Sequence, residues 1–301
     1  MLCEGRQIKY ALIESCRFEF KITMMCRVLS VSRAGFYDWL KRPASPRDQR
    51  RSQVGVAVES TFRQFKQRYG APRLTVELNA NGVPCSKNHV ASLLKERGLR
   101  ARNGKRFRTF PHVEARTNVT ANVLRQEFAA PAPNMKWVSD ITYIKAGRTW
   151  MYLAAVMDLF SRKIVGWALD SHMRESLVLE ALDTAVARRE VAPGLLVHSD
   201  RGVQYRGNEY REALKSYGIG CSMSRKGNCW DNAAMESFFS RFKVELIYAE
   251  SYRTAEDART GIFEYIEMFY NRKRRHSSLG YISPHEYEQQ FEPLTVSTFR
   301  G

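Results

Sequence analysis

Apolar residues recur at helical spacing in the N-terminal part of the chain, and from Lys136 the pattern changes to strand-like alternation. Residues 7–18 mix apolar and polar positions at helical period. Segments 22–29 and 33–41 then flank Ser30-Val-Ser32, with Ser32 a good N-cap and Pro43 a barrier to continuation. Met25, Leu29, Phe36 and Leu40 are spaced to meet across a tight turn, which is a helix-turn-helix pattern. On its second helix Arg33, Tyr37 and Lys41 fall at i, i+4 and i+8, a polar stripe available to DNA. An ordinary helical hairpin is the plainer alternative, and Gly35 weakens the helix slightly. Residues 43–52 read as a linker. A helix over 54–68 carries Val54, Val58, Thr61, Phe62 and Phe65 on one face. Pro72 opens another that Gly82 ends, and Ser86 caps a third, starting at Lys87, that Gly98 stops. This trio predicts a second helix-turn-helix.

Beyond residue 135 the predicted elements are strands over 137–144, 150–157 and 163–169, a helix over 175–189, and a short buried strand over 195–197. A helix over 208–217, a strand over 219–223 and a long helix over about 231–248 follow. Gly147 and the 158–162 segment supply the two turns. Three antiparallel strands followed by helix–strand–helix–strand–helix is the order of an RNase H-like α/β fold. The predicted organisation is a helix-turn-helix domain over 1–45, a second helix-turn-helix-like domain with a basic arm over 53–108, and a linker over 109–134. The catalytic core spans 135–250, and a C-terminal helix and basic tail span 251–301.

Charge sharpens the division. The first 120 residues hold 24 basic and 9 acidic side chains, net +15, whereas the whole chain is +17. Basicity confined to one region predicts a module that grips a polyanion joined to a body with another task; a membrane surface, a ribosome-like partner or a generally basic surface are the alternatives. Arg97, Arg100, Arg102, Lys105, Arg106 and Arg108 form an arm uninterrupted by acids and suited to tracking phosphates, unless it is merely a solvated charge run. The cluster Arg272-Lys-Arg-Arg-His276, with Arg272, Arg274 and Arg275, invites the same pair of readings. The six cysteines contain no Cys-x-x-Cys pair, so zinc or a disulfide framework is not expected. With no signal peptide and no apolar run approaching about 20 residues, the expectation is a cytoplasmic, nucleoid-associated protein away from membranes.

The candidate chemistry is carboxylate chemistry. In such a sheet the first strand lies beside the fourth, so Asp140 would face Asp200, which follows the fourth strand in His198-Ser-Asp-Arg-Gly202. On the closing helix Met235, Phe239, Phe242 and Leu246 form the core stripe, while Glu236, Ser240 and Lys243 form the adjacent one, about 100° round. Three converging carboxylates repel one another unless a cation holds them. An all-oxygen set suits two Mg²⁺ ions, with Mn²⁺ as substitute, and two such ions serve in-line displacement at a phosphodiester. Asp158, at a strand end, is the rival to Asp140 and reads as a turn residue. Asp231 or Asn232 reads as a helix N-cap rather than a fourth ligand. His198 is either a partner of the Asp200 loop or a structural histidine, Gly202 allows a tight turn, and Cys221 and Cys229 read as incidental. Arg225, Lys226 and Asn228 lie on the loop before the glutamate helix, where DNA would pass.

Long motifs then carry a resemblance. They are Trp137-Val-Ser-Asp-Ile-Thr-Tyr, Asp158-Leu-Phe-Ser-Arg, His198-Ser-Asp-Arg-Gly-Val-Gln-Tyr and Ser224-Arg-Lys-Gly-Asn-Cys-Trp-Asp-Asn-Ala-Ala-Met-Glu-Ser-Phe-Phe. Thirty-five residues separate Asp200 from Glu236, and Lys243 lies seven further on. With Val31-Ser-Arg-Ala-Gly-Phe-Tyr-Asp-Trp, the Tyr69-Gly segment and Tyr270-Asn-Arg-Lys-Arg-Arg-His-Ser-Ser-Leu-Gly-Tyr, nearly the whole chain resembles the second-frame product of two-frame bacterial insertion sequences. These are DDE transposases of the IS3 type, whose core is similar to retroviral integrases. The resemblance implies Asp140, Asp200 and Glu236 as metal-binding triad, Lys243 as a DNA contact near the scissile end, and terminal repeats and target DNA as substrates. It also implies a frameshift fusion with an upstream first-frame protein, and the expected assembly on DNA is a homo-oligomer. No heptad repeat is visible in this chain. Competing functions are a DNA-binding regulator with a non-catalytic RNase H-like body, and a nuclease acting on RNA–DNA hybrids or junctions.

Overall fold

The structure is a computed structural model and describes residues 5–43, 45–102, 120–191, 193–225 and 229–291. The chain divides into two compact units, Met1–Ser60 and Thr61–Gly301. In the first, α1 (Arg6–Ser15), α2 (Ile22–Val28) and α3 (Arg33–Lys41) enclose a small core of Tyr10, Ile13, Cys26, Leu29 and Phe36. The Ser32 side chain accepts from the Gly35 amide at 3.0 Å, which caps α3 as its sequence requires. Leu40 does not join this core but stays 40% exposed, because Tyr10 and Ile13 of α1 fill the space. The expected linker over 43–52 is largely helix, since α4 runs Pro46–Gln64. The cause is legible: Ser45 Oγ accepts from the Asp48 amide and donates to its carboxylate, and proline is at home in a first turn.

In the second unit α5 (Ala71–Ala80) and α6 (Lys87–Glu96) pack together, with Ser86 capping α6 through the His89 amide. The sheet is formed by β1 (Lys136–Ala146), β2 (Thr149–Asp158), β3 (Ile164–Asp170), β4 (Leu196–Ser199) and β5 (Gly220–Met223) in the order β3-β2-β1-β4-β5. β1, β2 and β3 are antiparallel, and β4 and β5 continue parallel to β1. This is the RNase H-like arrangement. α7 (Glu175–Arg188) and α8 (Asn208–Ser216) cover one face, where Trp137, Ala154, Val156, Leu177, Leu182 and Leu214 are buried in one core. Gly166 lets the α7 backbone lie against β3, since a Cβ there would collide with Ala181 and Ala185.

α9 (Ala233–Phe242) packs on β1 and buries Met235, Phe238, Phe239 and Phe242. The expected single helix over 231–248 is in fact a 3₁₀ turn, α9, and a π-helical stretch Lys243–Ile247. α10 (Ala255–Phe263) likewise runs on as π-helix over Glu264–Tyr270, and α11 (Pro284–Gln289) follows. The C-terminal part closes the free edge of β3. The Asn271 side chain accepts from the Ile164 amide and donates to its carbonyl, both at 2.9 Å, in place of a sixth strand. No helix among the described residues is long and apolar enough to cross a membrane.

Candidate active site

The site is built at a notch where one strand stops and its neighbour continues. The parallel pairing of β1 with β4 runs in register from Lys136↔Leu196 to Ser139↔Ser199. The next residue on each chain is Asp140 and Asp200. β4 ends there because the chain turns on its own side chains. The Gly202 amide donates to Asp200 Oδ1 at 2.9 Å, and Arg201 Nε donates to the Ser224 carbonyl at 2.7 Å. A Cβ on Gly202 would lie 2.9 Å from Asp200 Oδ1, so the glycine is set by close approach to the carboxylate. Its φ of −53° is one any residue adopts. β1 continues to Ala146 paired only with β2, which leaves Asp140 at an open edge.

Asp140 Oδ1 accepts from the Ile141 amide at 2.8 Å. Burial, and then the Asp200 charge, push the Asp140 carboxyl well above the usual carboxylate range; Glu236 adds to the rise, while the Ile141 amide and Lys243 oppose it. Glu236 lies in the first turn of α9 on its exposed side, and partial desolvation raises its carboxyl too. α9 is anchored beside the aspartates by Asn232, whose Nδ2 donates to the Ser139 carbonyl at 3.3 Å. The two aspartates thus come together as expected, and Glu236 is near enough for its charge to act on Asp140. Among the described residues, however, no three His, Cys, Asp or Glu side chains close into a metal-holding group.

Lys243 is buried. The sequence stripe puts it beside Glu236, and the charges of both act on Asp140; Lys243 begins the π-helical stretch and is only 7% exposed. Its Nζ is 4.3 Å from the centre of the Tyr143 ring; burial lowers its ammonium pKa and Asp140 opposes that. It is buried against Tyr143, with its charge reaching Asp140, rather than on the outer surface.

Asp158 is fully buried, and its two oxygens accept from the amides of Asn134 and Phe160 at 2.8 and 2.9 Å. Both oxygens are occupied in holding the turn, as the sequence suggests. Asp231 is neither ligand nor cap. Burial would raise its carboxyl, but Arg225, through guanidinium and amide, and the Gln126 amide outweigh this and hold it well below the usual range. With Asn122 also donating to it, Asp231 ties the 122–126 segment and the 225 loop to the start of α9. Asn232 is the N-cap residue of α9, but its side chain bonds to β1 and not to the helix.

His198 resolves as structural. Ser222 Oγ accepts from the amides of Val123 and Leu124, so its own hydrogen goes to His198 Nδ1 at 2.8 Å. Nε2 then donates to Ser224 Oγ at 3.1 Å, which donates to the Ser199 carbonyl. Burial brings the imidazole down to about 4, so it is neutral in this chain of bonds. Tyr205 escaped the sequence reading. Its buried hydroxyl shares a 3.0 Å hydrogen bond with Ser139 Oγ, and burial, then Asp140, push its phenol far up. The only signal is its place at the end of His198-Ser-Asp-Arg-Gly-Val-Gln-Tyr.

The candidate DNA contacts divide. Arg33 and Lys41 are exposed on α3, with the Arg33 guanidinium 5.9 Å from the half-buried Tyr37 ring. Lys87, Arg100 and Arg272 are exposed, and so is Arg225 while it bridges to Asp231 at 3.0 Å. One arginine is corrected, and two others are engaged within the protein. Arg274 is 2% exposed at its side chain and grips buried Glu245 through bonds of 2.9 and 2.6 Å. Arg275 pairs with Glu77 at 2.5 Å, and Arg102 donates to the Glu245 carbonyl at 2.8 Å. All three hold helices 71–96, the π-helical stretch and the C-terminal part together, and Arg274 has no surface to offer a phosphate. Lys105, Arg106, Arg108 and Lys226 lie outside the described residues.

Comparison with known proteins agrees with this architecture. Two integrase core domain models match residues 130–229 and 217–284, and an HTH-like domain model matches 49–107. The transposase InsF of insertion sequence IS3A from Escherichia coli K12 is 44% identical over 285 residues, covering 94% of this chain and 99% of its own. An uncharacterized 31 kDa protein of insertion element IS600 from Shigella sonnei is 38% identical, covering 90% and 100%. Among solved structures, the magnesium complex of the HTLV-2 integrase catalytic core covers 52% of this chain and 98% of its own, at 14% identity and a TM-score of 0.39. A regulator with an idle body finds no support in these matches. With its integrase core and near full-length identity to InsF, the chain belongs to the IS3-type insertion-sequence transposases.

Proposed function

We propose that this transposase cleaves DNA at the ends of its insertion sequence and joins them to target DNA, with Asp140, Asp200 and Glu236 holding the divalent metal. The observation that carries the reading is the β1–β4 register, which sets Asp140 and Asp200 side by side at an open strand edge. The donor set fits a hard cation: the candidate donors are carboxylate oxygens, and neither His198 nor Asp231 is available as a ligand. Our reading is two Mg²⁺ ions, with Mn²⁺ as substitute. When bound, they supply Lewis acidity for a water or 3′-hydroxyl attacking phosphorus and for the departing oxygen. The protein's part is positioning. The Gly202 amide fixes the Asp200 carboxylate, the Ile141 amide fixes Asp140, and Asn232 holds the helix bearing Glu236 against β1.

Arg33, Tyr37, Lys41, Lys87, Arg100, Arg225 and Arg272 are proposed to engage DNA backbone, with Lys105, Arg106, Arg108 and Lys226 alongside them. Lys243 orients the strand end from within the site. The substrates are terminal repeats and target DNA, and the working form is a homo-oligomer on DNA in the bacterial cytoplasm and nucleoid. An upstream first-frame protein joined by frameshift is the proposed partner. Purified protein with Mg²⁺ and end-labelled DNA carrying the element's ends is the test. Nicked and joined strands that need the metal are expected; binding without any strand chemistry would contradict the reading.

A further inference from the structure

Three residues beyond Asp140, on the opposite and exposed face of β1, the strand carries a feature that phosphodiester chemistry does not require. Tyr143 is 42% exposed and Trp150, across the β1–β2 hairpin, is 49% exposed. Their ring centres are 5.5 Å apart with planes at 73°, and the register Lys145↔Trp150 makes them diagonal neighbours. Each ring has a cation at one face: Lys243 Nζ at 4.3 Å from Tyr143, and Lys145 Nζ at 6.0 Å from Trp150. A cross-strand aromatic pair that served only to hold the hairpin would gain most by burying both rings, and these remain about half open.

We infer that Tyr143 and Trp150 form a stacking platform for an unpaired nucleobase near the strand end being processed. This rests on the transposase reading above and adds a binding site to it. Open aromatic faces beside ammonium groups match a nucleotide, with the base on the ring and the phosphate on the cation. A base inside a duplex has no free face to give, so the ligand is a frayed or overhanging one. Three residues of strand span roughly 10 Å, so the rings stand within a few nucleotides of the carboxylates. Lys243 joins the two sites, since it touches Tyr143 and its charge acts on Asp140.

The test uses full-length protein, without metal, and an element-end duplex with a three-nucleotide 3′ overhang carrying 2-aminopurine at each overhang position in turn. Wild-type protein is expected to quench one position strongly. Tyr143→Leu and Trp150→Leu should abolish that quench and weaken overhang binding by roughly 5-fold or more each, while affinity for a blunt duplex stays unchanged. Should a leucine variant fail to fold, Trp150→Phe keeps an aromatic ring in the hairpin and should clearly reduce the quench. Quenching that persists in these variants overturns the platform, as does its absence in a wild-type protein that nicks and joins the same ends once Mg²⁺ is added. A wild-type protein that bound the ends but left them intact with metal would fail the underlying reading and take the platform with it.

Discussion

Asp140 and Asp158 sit on paired strands and share a chemical formula, yet their surroundings give them opposite roles. Asp158 uses both oxygens on backbone amides, so Asp158→Asn loses an acceptor inside the fold and should cost about 1–3 kcal/mol. Asp140 is half-buried beside Asp200 and its carboxyl is raised, so the folded protein without metal binds protons more readily than the unfolded chain. The sign of the linkage follows: the stability of the metal-free protein falls as pH rises from the ordinary carboxylate value, about 3.9, through the raised one. Asp140→Asn should therefore raise the melting temperature of the metal-free protein at neutral pH and flatten its decline with pH, as thermal melts across pH would show. A lower melting temperature for Asp140→Asn would contradict the repulsion. Gly202→Ala is the complementary change, because its Cβ would press on Asp200 Oδ1. Strand joining and metal affinity should drop sharply with little loss of stability, and a fully active Gly202→Ala protein would show that the carboxylate position is not critical.

Element boundaries followed local chemistry wherever the cause was local. Ser32 and Ser86 start their helices as read, the succession of strands and helices was legible from alternation and length, and the pairing of the first strand with the fourth followed from the fold class that succession implies. The signal Ser45-Pro-x-Asp48 was present but masked by a polar run, and Ser283-Pro-x-Glu286 likewise starts α11 through a capping box. The π-helical stretch Lys243–Ile247 was not legible, and with it the burial of Lys243. That stretch carries buried Glu245, whose partners Arg274 and Tyr265 come from elsewhere in the chain. Arg274 was lost to the charge-run reading for the same reason: five consecutive residues of one basic cluster differ only in what they meet. Arg274→Ala leaves Glu245 buried without its cation and should cost about 3–5 kcal/mol, leaving the salt dependence of DNA binding unaltered. Arg272→Ala should do the reverse, with stability changed by no more than about 0.5 kcal/mol and the slope of log K against log salt reduced by about 0.9. Identical salt slopes for the two variants would restore the undifferentiated cluster.

Across the whole molecule, basicity and chemistry are carried by different stretches. Net charge +15 lies in the first 120 residues, whereas the carboxylates that define the site come later. Charge asymmetry did not reveal that helices 71–96 belong to the same compact unit as the catalytic sheet; the bonds of Arg73 and Arg275 across more than 190 residues of sequence do. The separable piece is the first unit, Met1–Ser60. Removing residues 1–45, which end before α4, should lower DNA affinity and flatten its salt dependence while the remainder still melts cooperatively; unchanged affinity and slope would remove α3 from the DNA contacts. Asp140 and Asp200 are proposed to form the reacting pair at the notch, with Asp158 only holding a turn. Strand joining in Mg²⁺ by Asp200→Asn and Asp158→Asn, measured per folded and DNA-bound molecule, separates these roles. The prediction is that Asp200→Asn binds DNA normally and joins nothing, while Asp158→Asn joins strands despite its lower stability. Robust joining by Asp200→Asn, or an inactive Asp158→Asn beside an active Asp140→Asn, would contradict it.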